Sequence, residues 1–178
     1  GGTASRRFYK ECSVCLIMVD RTKLPYRKNC EGYFFKDGKV LAQDTGLGYV
    51  LFPGGGVDEG ESPEDAVLRE AFEETGAVIR NLKKIGVIHF DWGRNWAQSE
   101  KQKKRYEIFR GEEMHLFCGD VDELKDAPGD EDESGWEGEL FADVGDAIEW
   151  INSNKPFPET MQEYYSIQLD KMKEMVEE

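Results

Sequence analysis

Long apolar segments are absent from the sequence, and no run approaches the roughly 20 residues that a membrane-spanning helix requires. Residues 1–10 contain no apolar core of the kind found in signal peptides, and Gly1-Gly2-Thr3 is typical of a cloning remnant. We therefore expect an N-terminal tail over residues 1–10, no membrane association and a cytoplasmic location.

Cysteine is also scarce, and its four copies are too few and too scattered for a disulfide framework. Cys12 and Cys15 form a C-x2-C pair, which could begin a zinc site. Their neighbours, however, form a continuous apolar run typical of a buried strand, and no second such pair follows. We favour buried thiols that pack as small hydrophobic groups.

Positive charge is in short supply, since 23 Lys and Arg residues face 37 Asp and Glu residues and leave a net charge of -14. This balance opposes binding to a nucleic acid polymer, where affinity comes mainly from cations at phosphates. It does not exclude a phosphorylated small molecule, provided that cations bridge it to the protein. The basic residues that do cluster are either a phosphate-binding group or solvated charges: Arg94, Lys101, Lys103, Lys104 and Arg105.

The remaining composition suits one globular domain, because 178 residues with 39% hydrophobic content can form a core. Asp37-Gly38 lies between two extended runs and predicts a β-hairpin, preceded by the polar connection RTKLPYRKN. Further strands are predicted over Cys12–Val19, Tyr49–Phe52, Ile85–Phe90, Met114–Cys118 and Glu139–Ala142.

Three helices are predicted: about Pro63–Thr75, a short helix over Ala147–Asn152, and an amphipathic C-terminal helix over Pro158–Val176. Strands that occur both in hairpins and around helices favour an α/β fold with a mixed β-sheet covered by helices on both faces. Two stretches, Asp91–Arg110 and Asp120–Glu139, fit no element. The first has the length of a functional or disordered connection. The second resembles the opening of an EF-hand, but Phe141 stands where that loop requires a glutamate.

The helix after the glycine triplet has clear start and stop signals. Ser62 is a favourable N-cap, Pro63 suits the first turn, and Gly76 suits a left-handed C-terminal residue. At 100° per residue, Glu70, Glu73 and Glu74 share one side of this helix. The opposite side is the expected core side: Val67, Leu68, Ala71, Phe72 and Thr75.

This acidic stripe fits poorly with a solvated helix face. Like charges at spacings of three and four residues destabilise a helix by ~0.2–0.5 kcal/mol per pair, and only Arg69 stands beside them. A hard divalent cation, Mg²⁺ or Mn²⁺, prefers carboxylate oxygens and retains waters that a substrate can displace. The stripe therefore predicts a metal site. The preceding Pro53-Gly54-Gly55-Gly56 lets the backbone approach a ligand closely or adopt positive φ.

The combined spacing is more specific than any of its parts. Gly55, five residues, Glu61, seven residues and then REAFEETGA from Arg69 to Ala77 resemble the Nudix box of the Nudix hydrolases. Ala77 stands where the family prefers a larger aliphatic residue, a difference that concerns packing and not metal chemistry. The resemblance implies a Nudix-like α/β/α sandwich over residues 11–155, with the C-terminal helix (156–178) docked on the same domain.

The resemblance also implies hydrolysis of a diphosphate linkage in a nucleoside diphosphate joined to another group, by attack of metal-activated water on phosphorus. Glu70, Glu73 and Glu74 would hold Mg²⁺ or Mn²⁺. The catalytic set would be Glu70, Glu73, Arg69, which orients the glutamates, and Glu61, which supports the site. Gly55, Gly56 and Arg94 are the residues that we expect to contact the substrate.

Several alternatives remain open. The general base could be a box glutamate or a later carboxylate such as Glu133 or Glu137. The substrate could be a diphosphoinositol or dinucleoside polyphosphate, and Phe90, Trp92 and Trp96 either stack on a base or anchor a loop. A catalytically silent Nudix module that binds a nucleotide or protein is the competing class, although every box glutamate is retained. Residues 92–105 are expected over or beside the metal site.

Overall fold

In a computed structural model of the chain, the structure describes residues 20–46, 49–126, 136–153 and 161–177. Four sequence-based expectations therefore lie outside the described residues. These are the N-terminal tail, the strand Cys12–Val19 with its C-x2-C pair, the candidate base Glu133, and the boundary near residue 155 between the domain and its last helix.

A mixed sheet forms the centre of the fold. Its strand order is β6-β7-β1-β2-β8. β5 pairs with β1 on the same side as β2 but nearer the start of the strand, while β3 and β4 form a separate pair. The strands are β1 (Tyr26–Lys36), β2 (Lys39–Leu41), β3 (Gln43–Asp44), β4 (Val50–Leu51), β5 (Gly54–Gly56), β6 (Ala77–Asp91), β7 (Gly111–Leu124) and β8 (Phe141–Asp143). β1 runs parallel to β7 and antiparallel to β2 and β5. It therefore contacts three other strands of the sheet, including the glycine strand β5.

Helices cover both faces of this sheet, as predicted: α1 (Pro63–Thr75), α2 (Glu100–Ile108), α3 (Val144–Ser153) and α4 (Gln162–Glu177). Side chains alternate along β1, so Phe34 packs into a cluster with α1, while Tyr33 and Phe35 pack into a cluster with α3 and α4. This is the expected sandwich. Within the described ranges, no helix has the length and apolar character needed to cross a membrane.

The predicted hairpin is present. Asp37 and Gly38 have φ values of +51° and +74°, and Phe35 pairs with Val40 across the turn. The strand before it is longer than expected, because β1 begins at Tyr26 inside the segment interpreted as a polar connection. Residues 26–31 are placed in the sheet by pairing with β7 and β5, and this pairing outweighs their weak strand propensity.

Two other extents were wrong. β6 begins directly after Gly76 and not at Ile85, and β7 covers 14 residues where five were expected. β6 is an edge strand with one face exposed, so polar residues such as Arg80 and Lys83 are tolerated within it.

The long connection Asp91–Arg110, expected to contain no element, includes helix α2. Ser99 accepts a hydrogen bond from the backbone N–H of Gln102 at 3.2 Å, and the Gln102 side chain accepts one from the Ser99 N–H at 2.9 Å. This is a capping box. Arg21 fixes the other end, because its Nη2 donates to the carbonyls of Phe109 and Arg110 at 2.9 and 3.2 Å.

Candidate functional site

Helix α1 presents the glutamates and has the predicted boundaries. The Ser62 hydroxyl accepts from the backbone N–H of Asp65 at 3.1 Å, and Gly76 has φ +72° with its N–H donating to the Phe72 carbonyl at 2.8 Å. The core side is shifted by part of a turn from the expected one, because Leu68 and Phe72 are only partly buried. The fully buried positions of the helix are Ala66, Val67, Ala71 and Thr75.

Arg69 is the centre of an acidic cluster. Its Nε and Nη2 donate to the two carboxylate oxygens of Glu61 at 2.9 and 3.0 Å, which is a bidentate pair. Its Nη1 donates to Glu70 at 2.9 Å and to Glu73 at 3.0 Å. These contacts hold the pKa of Glu61 below its ordinary value and raise that of Arg69. The guanidinium therefore supplies part of the countercharge that the sequence suggested was missing.

The glycine triplet forms strand β5, and none of the three residues has positive φ. Each allows a close approach. A β-carbon on Gly54 would lie 2.2 Å from the carbonyl oxygen of Cys30, on Gly55 it would lie 2.6 Å from the Glu70 carboxylate, and on Gly56 2.3 Å from Nη2 of Arg27. The absence of side chains on this strand thus allows the β1 backbone, the Glu70 carboxylate and the Arg27 guanidinium to pack directly against it.

Glu74 is held to the same strand, because its carboxylate accepts from the backbone N–H of Gly54 at 3.0 Å. The Cys30 thiol donates to the Gly55 carbonyl at 3.5 Å, and burial raises its pKa to about 12. Cys30 is therefore a neutral packing group at pH 7 and not a nucleophile.

The donor chemistry of the stripe fits a hard divalent cation. One oxygen of Glu70 and one of Glu73 both lie about 3 Å from the same nitrogen of Arg69, so the two carboxylates already converge. In the described part of the chain, no three His, Cys, Asp or Glu side chains are already arranged as a metal-binding group. Glu70, Glu73 and Glu74 are the residues that would hold such a cation.

A cleft of about 630 Å³ opens beside the glycine strand. Gly54 and Gly55 form one part of its wall, and Trp96 and Arg105 of the segment 92–105 form another part. Arg94 lines a neighbouring cleft of about 410 Å³, together with Trp92 and Trp96, and does not line the cleft that contains Gly55. Arg105, not Arg94, is the cation of the basic cluster that faces the glycine strand.

Two of the aromatic residues singled out from the sequence stack on each other. The rings of Trp92 and Trp96 are 3.6 Å apart and inclined by 5°. Trp92 is buried, whereas Trp96 is partly exposed to both clefts. Trp92 is thus an anchor for the loop, and Trp96 presents its indole to the clefts.

Sequence reasoning missed a charged group on β1 and β7. Arg27 pairs in register with Glu112 across the parallel strands, and Glu112 lines the main cleft with Asn29 and Arg105. Burial raises the pKa of Glu112, although Asn29 and Arg27 oppose the shift. No local signal marks these residues, because only the pairing of two distant strands brings them together.

A second missed group lies on the α4 side of β1. Glu31 is 9% exposed and its carboxylate accepts hydrogen bonds from Tyr33 at 2.8 Å, from Gln168 at 3.0 Å and from the Tyr164 hydroxyl. Burial raises its pKa, and these three donors act in the opposite direction. Tyr164 and Gln168 come from α4, so this network joins the last helix to the sheet.

Glu137 is the candidate base of the later acidic loop that the structure describes. Glu137 lines a different cleft of about 360 Å³, whose wall also includes Lys39, Asp44 and Asp143. It does not line the cleft that contains Gly54 and Gly55.

Comparison with known proteins gives the family. The NUDIX domain model matches residues 33–164, which covers the glycine strand, all of α1 and the cleft segment 92–105. The chain belongs to the NUDIX family. A NUDIX hydrolase from Nitrosomonas europaea has the same fold, with a TM-score of 0.55 at 18% identity over 82% of this chain and 89% of that one.

Curated NUDIX relatives share shorter regions with the chain. An RNA pyrophosphohydrolase of Sphingopyxis alaskensis is 45% identical over 64 residues, which is 33% of this chain and 40% of the relative. The RNA pyrophosphohydrolase of Tolumonas auensis is 36% identical over 98 residues, 52% of this chain and 53% of the relative. The chain thus spans about half the length of the curated relatives it matches.

Proposed function

We propose that the protein is a divalent-metal-dependent hydrolase that cleaves a diphosphate linkage in a nucleoside diphosphate joined to another group. The observation that carries this proposal is the Arg69 cluster, in which one guanidinium holds Glu61, Glu70 and Glu73 together. The Glu70 carboxylate lies close to Gly55, which forms part of the cleft wall. Like-charged side chains converge in this way at considerable electrostatic cost, and a diphosphate site with its cations offsets that cost.

The site residues have separate tasks in this proposal. Glu70, Glu73 and Glu74 would hold Mg²⁺ or Mn²⁺, which supplies charge neutralisation of the diphosphate and a water of lowered pKa. Arg69 positions Glu70 and Glu73 through Nη1. Glu61 accepts two hydrogen bonds from the Arg69 guanidinium and so fixes its orientation. Arg69 and Glu61 are therefore positioning residues.

Glu112 is the best supported acceptor for the proton of the attacking water. Two carboxylates outside the box line the cleft, Glu31 and Glu112. Glu31 already accepts three hydrogen bonds, which leaves it little capacity as a base. Burial raises the pKa of Glu112 above its ordinary value, which makes this carboxylate a stronger proton acceptor.

The cleft favours a nucleoside over a polyphosphorylated inositol. Six aromatic side chains line it, whereas Arg105 is the only lysine or arginine among its described lining residues. An inositol polyphosphate presents negative charge on every side and requires several cations. A nucleotide requires cations at one end and a flat apolar surface at the other.

A second candidate function is removal of pyrophosphate from the 5′ end of RNA. It is favoured by the curated relatives, which carry the name RNA pyrophosphohydrolase. The net charge of -14 opposes extended contact with a polynucleotide backbone, so we place the small molecule first. In both cases the scissile bond would be a phosphoanhydride next to a nucleoside.

A turnover assay tests this proposal. The protein is incubated with Mg²⁺ or Mn²⁺ and with ADP-ribose, dinucleoside polyphosphates, nucleoside triphosphates and a 5′-triphosphorylated RNA oligonucleotide. Nucleotide products are separated by anion-exchange chromatography, and released phosphate and pyrophosphate are measured as well. We expect metal-dependent cleavage of at least one nucleoside diphosphate derivative, lost on addition of EDTA. Turnover confined to the oligonucleotide would establish the second candidate, and binding without any turnover would establish a silent module.

A further inference from the structure

Gln168, a residue of α4 that lines the main cleft, carries an unpaired acceptor atom. Gln168 lines the cleft with only 2% of its surface exposed. Its Nε2 donates to Glu31 at 3.0 Å, but its Oε1 has no hydrogen-bond partner within the described segments. A buried carbonyl oxygen without a donor is unfavourable, and few such atoms persist in folded proteins.

The orientation of this amide is fixed by its neighbour. The Oε1 atom of Glu31 accepts from both Tyr33 and Gln168, at 2.8 and 3.0 Å. Turning the Gln168 amide over would place its oxygen against the carboxylate oxygen, which is repulsive. The atom of Gln168 that remains without a partner is therefore an acceptor and requires a donor.

We propose that Oε1 of Gln168 accepts a hydrogen bond from the exocyclic amino group of a nucleobase in the cleft, which makes Gln168 a specificity-determining residue. This inference rests on the proposed function, since it names the chemical class of the nucleoside at the same site. Adenine, guanine and cytosine carry such an amino group. Uracil has an oxygen at the position of the cytosine amino group, and hypoxanthine has one at the position of the adenine amino group. Hypoxanthine also lacks the 2-amino group of guanine.

The surroundings of Gln168 suit a flat base. Phe90, Trp96, Tyr164 and Tyr165 line the cleft with it, and aromatic faces stack on nucleobases without regard to sequence. Gly54, Gly55 and Arg105 form another part of the same wall, and Gly55 lies close to the Glu70 carboxylate. A cleft of about 630 Å³ has the size of a pocket for a ligand as large as a nucleotide.

Both members of the pair lie outside the region that the family shares. The NUDIX match covers residues 33–164, whereas Glu31 precedes it and Gln168 follows it. The general chemistry of the box is carried by the matched region. The amino selectivity proposed here comes from residues of this chain that the match does not include.

Binding of nucleoside 5′-monophosphates measures this selectivity without turnover, because these ligands contain no phosphoanhydride. Isothermal titration calorimetry would compare AMP, GMP and CMP with UMP and IMP. We expect at least one amino-bearing nucleotide to bind about tenfold more tightly than both UMP and IMP, which corresponds to one hydrogen bond. The ratio should fall to within about twofold in Gln168→Met, a variant of similar volume without the acceptor.

Tyr33→Phe is the matched control. It removes a different donor from the same Glu31 oxygen and leaves Gln168 in place, so the preference for amino-bearing nucleotides should persist. Circular dichroism melting of each variant checks that it is folded. A tenfold ratio that survives in folded Gln168→Met would overturn the inference.

The wild-type panel alone also decides the question. Equal or undetectable binding of all five nucleotides, or UMP or IMP binding as tightly as the best amino-bearing nucleotide, would overturn it even if Gln168→Met fails to fold. Selective binding by a protein that cleaves no diphosphate would overturn the proposed function and leave this inference standing. Metal-dependent cleavage with no base preference in binding would overturn this inference and leave the proposed function standing.

Discussion

The carboxylate carbon of Glu70 lies 2.6 Å from the point that a β-carbon on Gly55 would occupy. The first glycine of the box and its second glutamate are thus in direct van der Waals contact, although 15 positions separate them in the sequence. Glycine is needed at residue 55 for this close approach and not for an unusual backbone angle, because its φ is negative or extended.

Replacing Gly55 with alanine should displace the Glu70 side chain while leaving the fold intact. The obstructing atoms belong to the flexible end of a glutamate, so we expect a loss of stability below ~1 kcal/mol. Turnover should fall about 10²-fold, as it does when a reacting group is misplaced by roughly 1 Å. Steady-state kinetics and urea unfolding would measure both. Gly93→Ala, where a β-carbon meets no atom within 4 Å, should change neither quantity.

Arg69→Lys should show that the shape of the guanidinium matters as well as its charge. Arg69 donates to Glu61, Glu70 and Glu73 at once, and an ammonium group cannot reproduce the bidentate pair with Glu61. We expect urea unfolding to show a loss of about 1–2 kcal/mol. Arg80→Lys is the control, because its ion pair with Asp122 is exposed and 3.7 Å long. Equal effects of the two substitutions would contradict this account.

The pair between Arg69 and Glu61 should make stability depend on acid. Because the folded pKa of Glu61 is lowered, its stabilising effect is complete above the ordinary value of 4.5 and is lost as the pH falls through the folded value. Urea midpoints should therefore decrease from about pH 6 to about pH 3, as other paired carboxylates also protonate. Glu61→Gln should decrease less steeply. Parallel curves for the two proteins would show that this pair contributes nothing.

Glu73→Gln should separate catalysis from folding. The substitution keeps side-chain size and an oxygen that can accept from Arg69, but it removes a charge from the proposed metal site. We expect turnover to fall by a factor on the order of 10²–10⁴, with a higher Mg²⁺ requirement. Unfolding free energy should change by less than ~0.5 kcal/mol, since Glu73 is largely exposed.

Glu64→Gln supplies the comparison on the same helix. Glu64 lies in the first turn of α1 and pairs with Lys84 at 3.8 Å, away from the Arg69 cluster. Turnover and its Mg²⁺ dependence should remain at the wild-type level in this variant. If Glu73→Gln behaved like Glu64→Gln, the assignment of the acidic stripe would be wrong.

Local signals explain what the sequence could predict. The bounds of α1 follow from Ser62, Pro63 and Gly76, which act within one or two turns of the residues they fix. The spacing of Glu61 and Arg69 likewise specifies an ion pair that a single loop and helix can form. Ser99 and Gln102 have the capping-box spacing, which is a local signal for the start of α2. The helix was nevertheless not predicted, because it has no apolar face.

Distant pairing explains what the sequence could not predict. Glu112 joins Arg27 only because β7 lies parallel to β1, and Gln168 joins Glu31 only because α4 docks across the sheet. Neither relationship has a period or a short motif. The glycine strand was predictable in part. Three consecutive glycines indicate that the backbone is approached closely, but the sequence does not indicate which residues approach it.

Neighbouring residues of β1 serve opposite sides of the sheet, with Cys30 packed under α1 and Glu31 joined to α4. Deleting one residue near the start of this strand would move Glu31 into the apolar cluster of Ala66, Val67 and Ala71. A carboxylate there would have lost its hydrogen-bond donors, Tyr33, Tyr164 and Gln168. The pairing between β1 and the glycine strand would shift at the same time. A change in the length of β1 would therefore disrupt both sides of the sheet at once, whereas substitution of single side chains would disturb only one side.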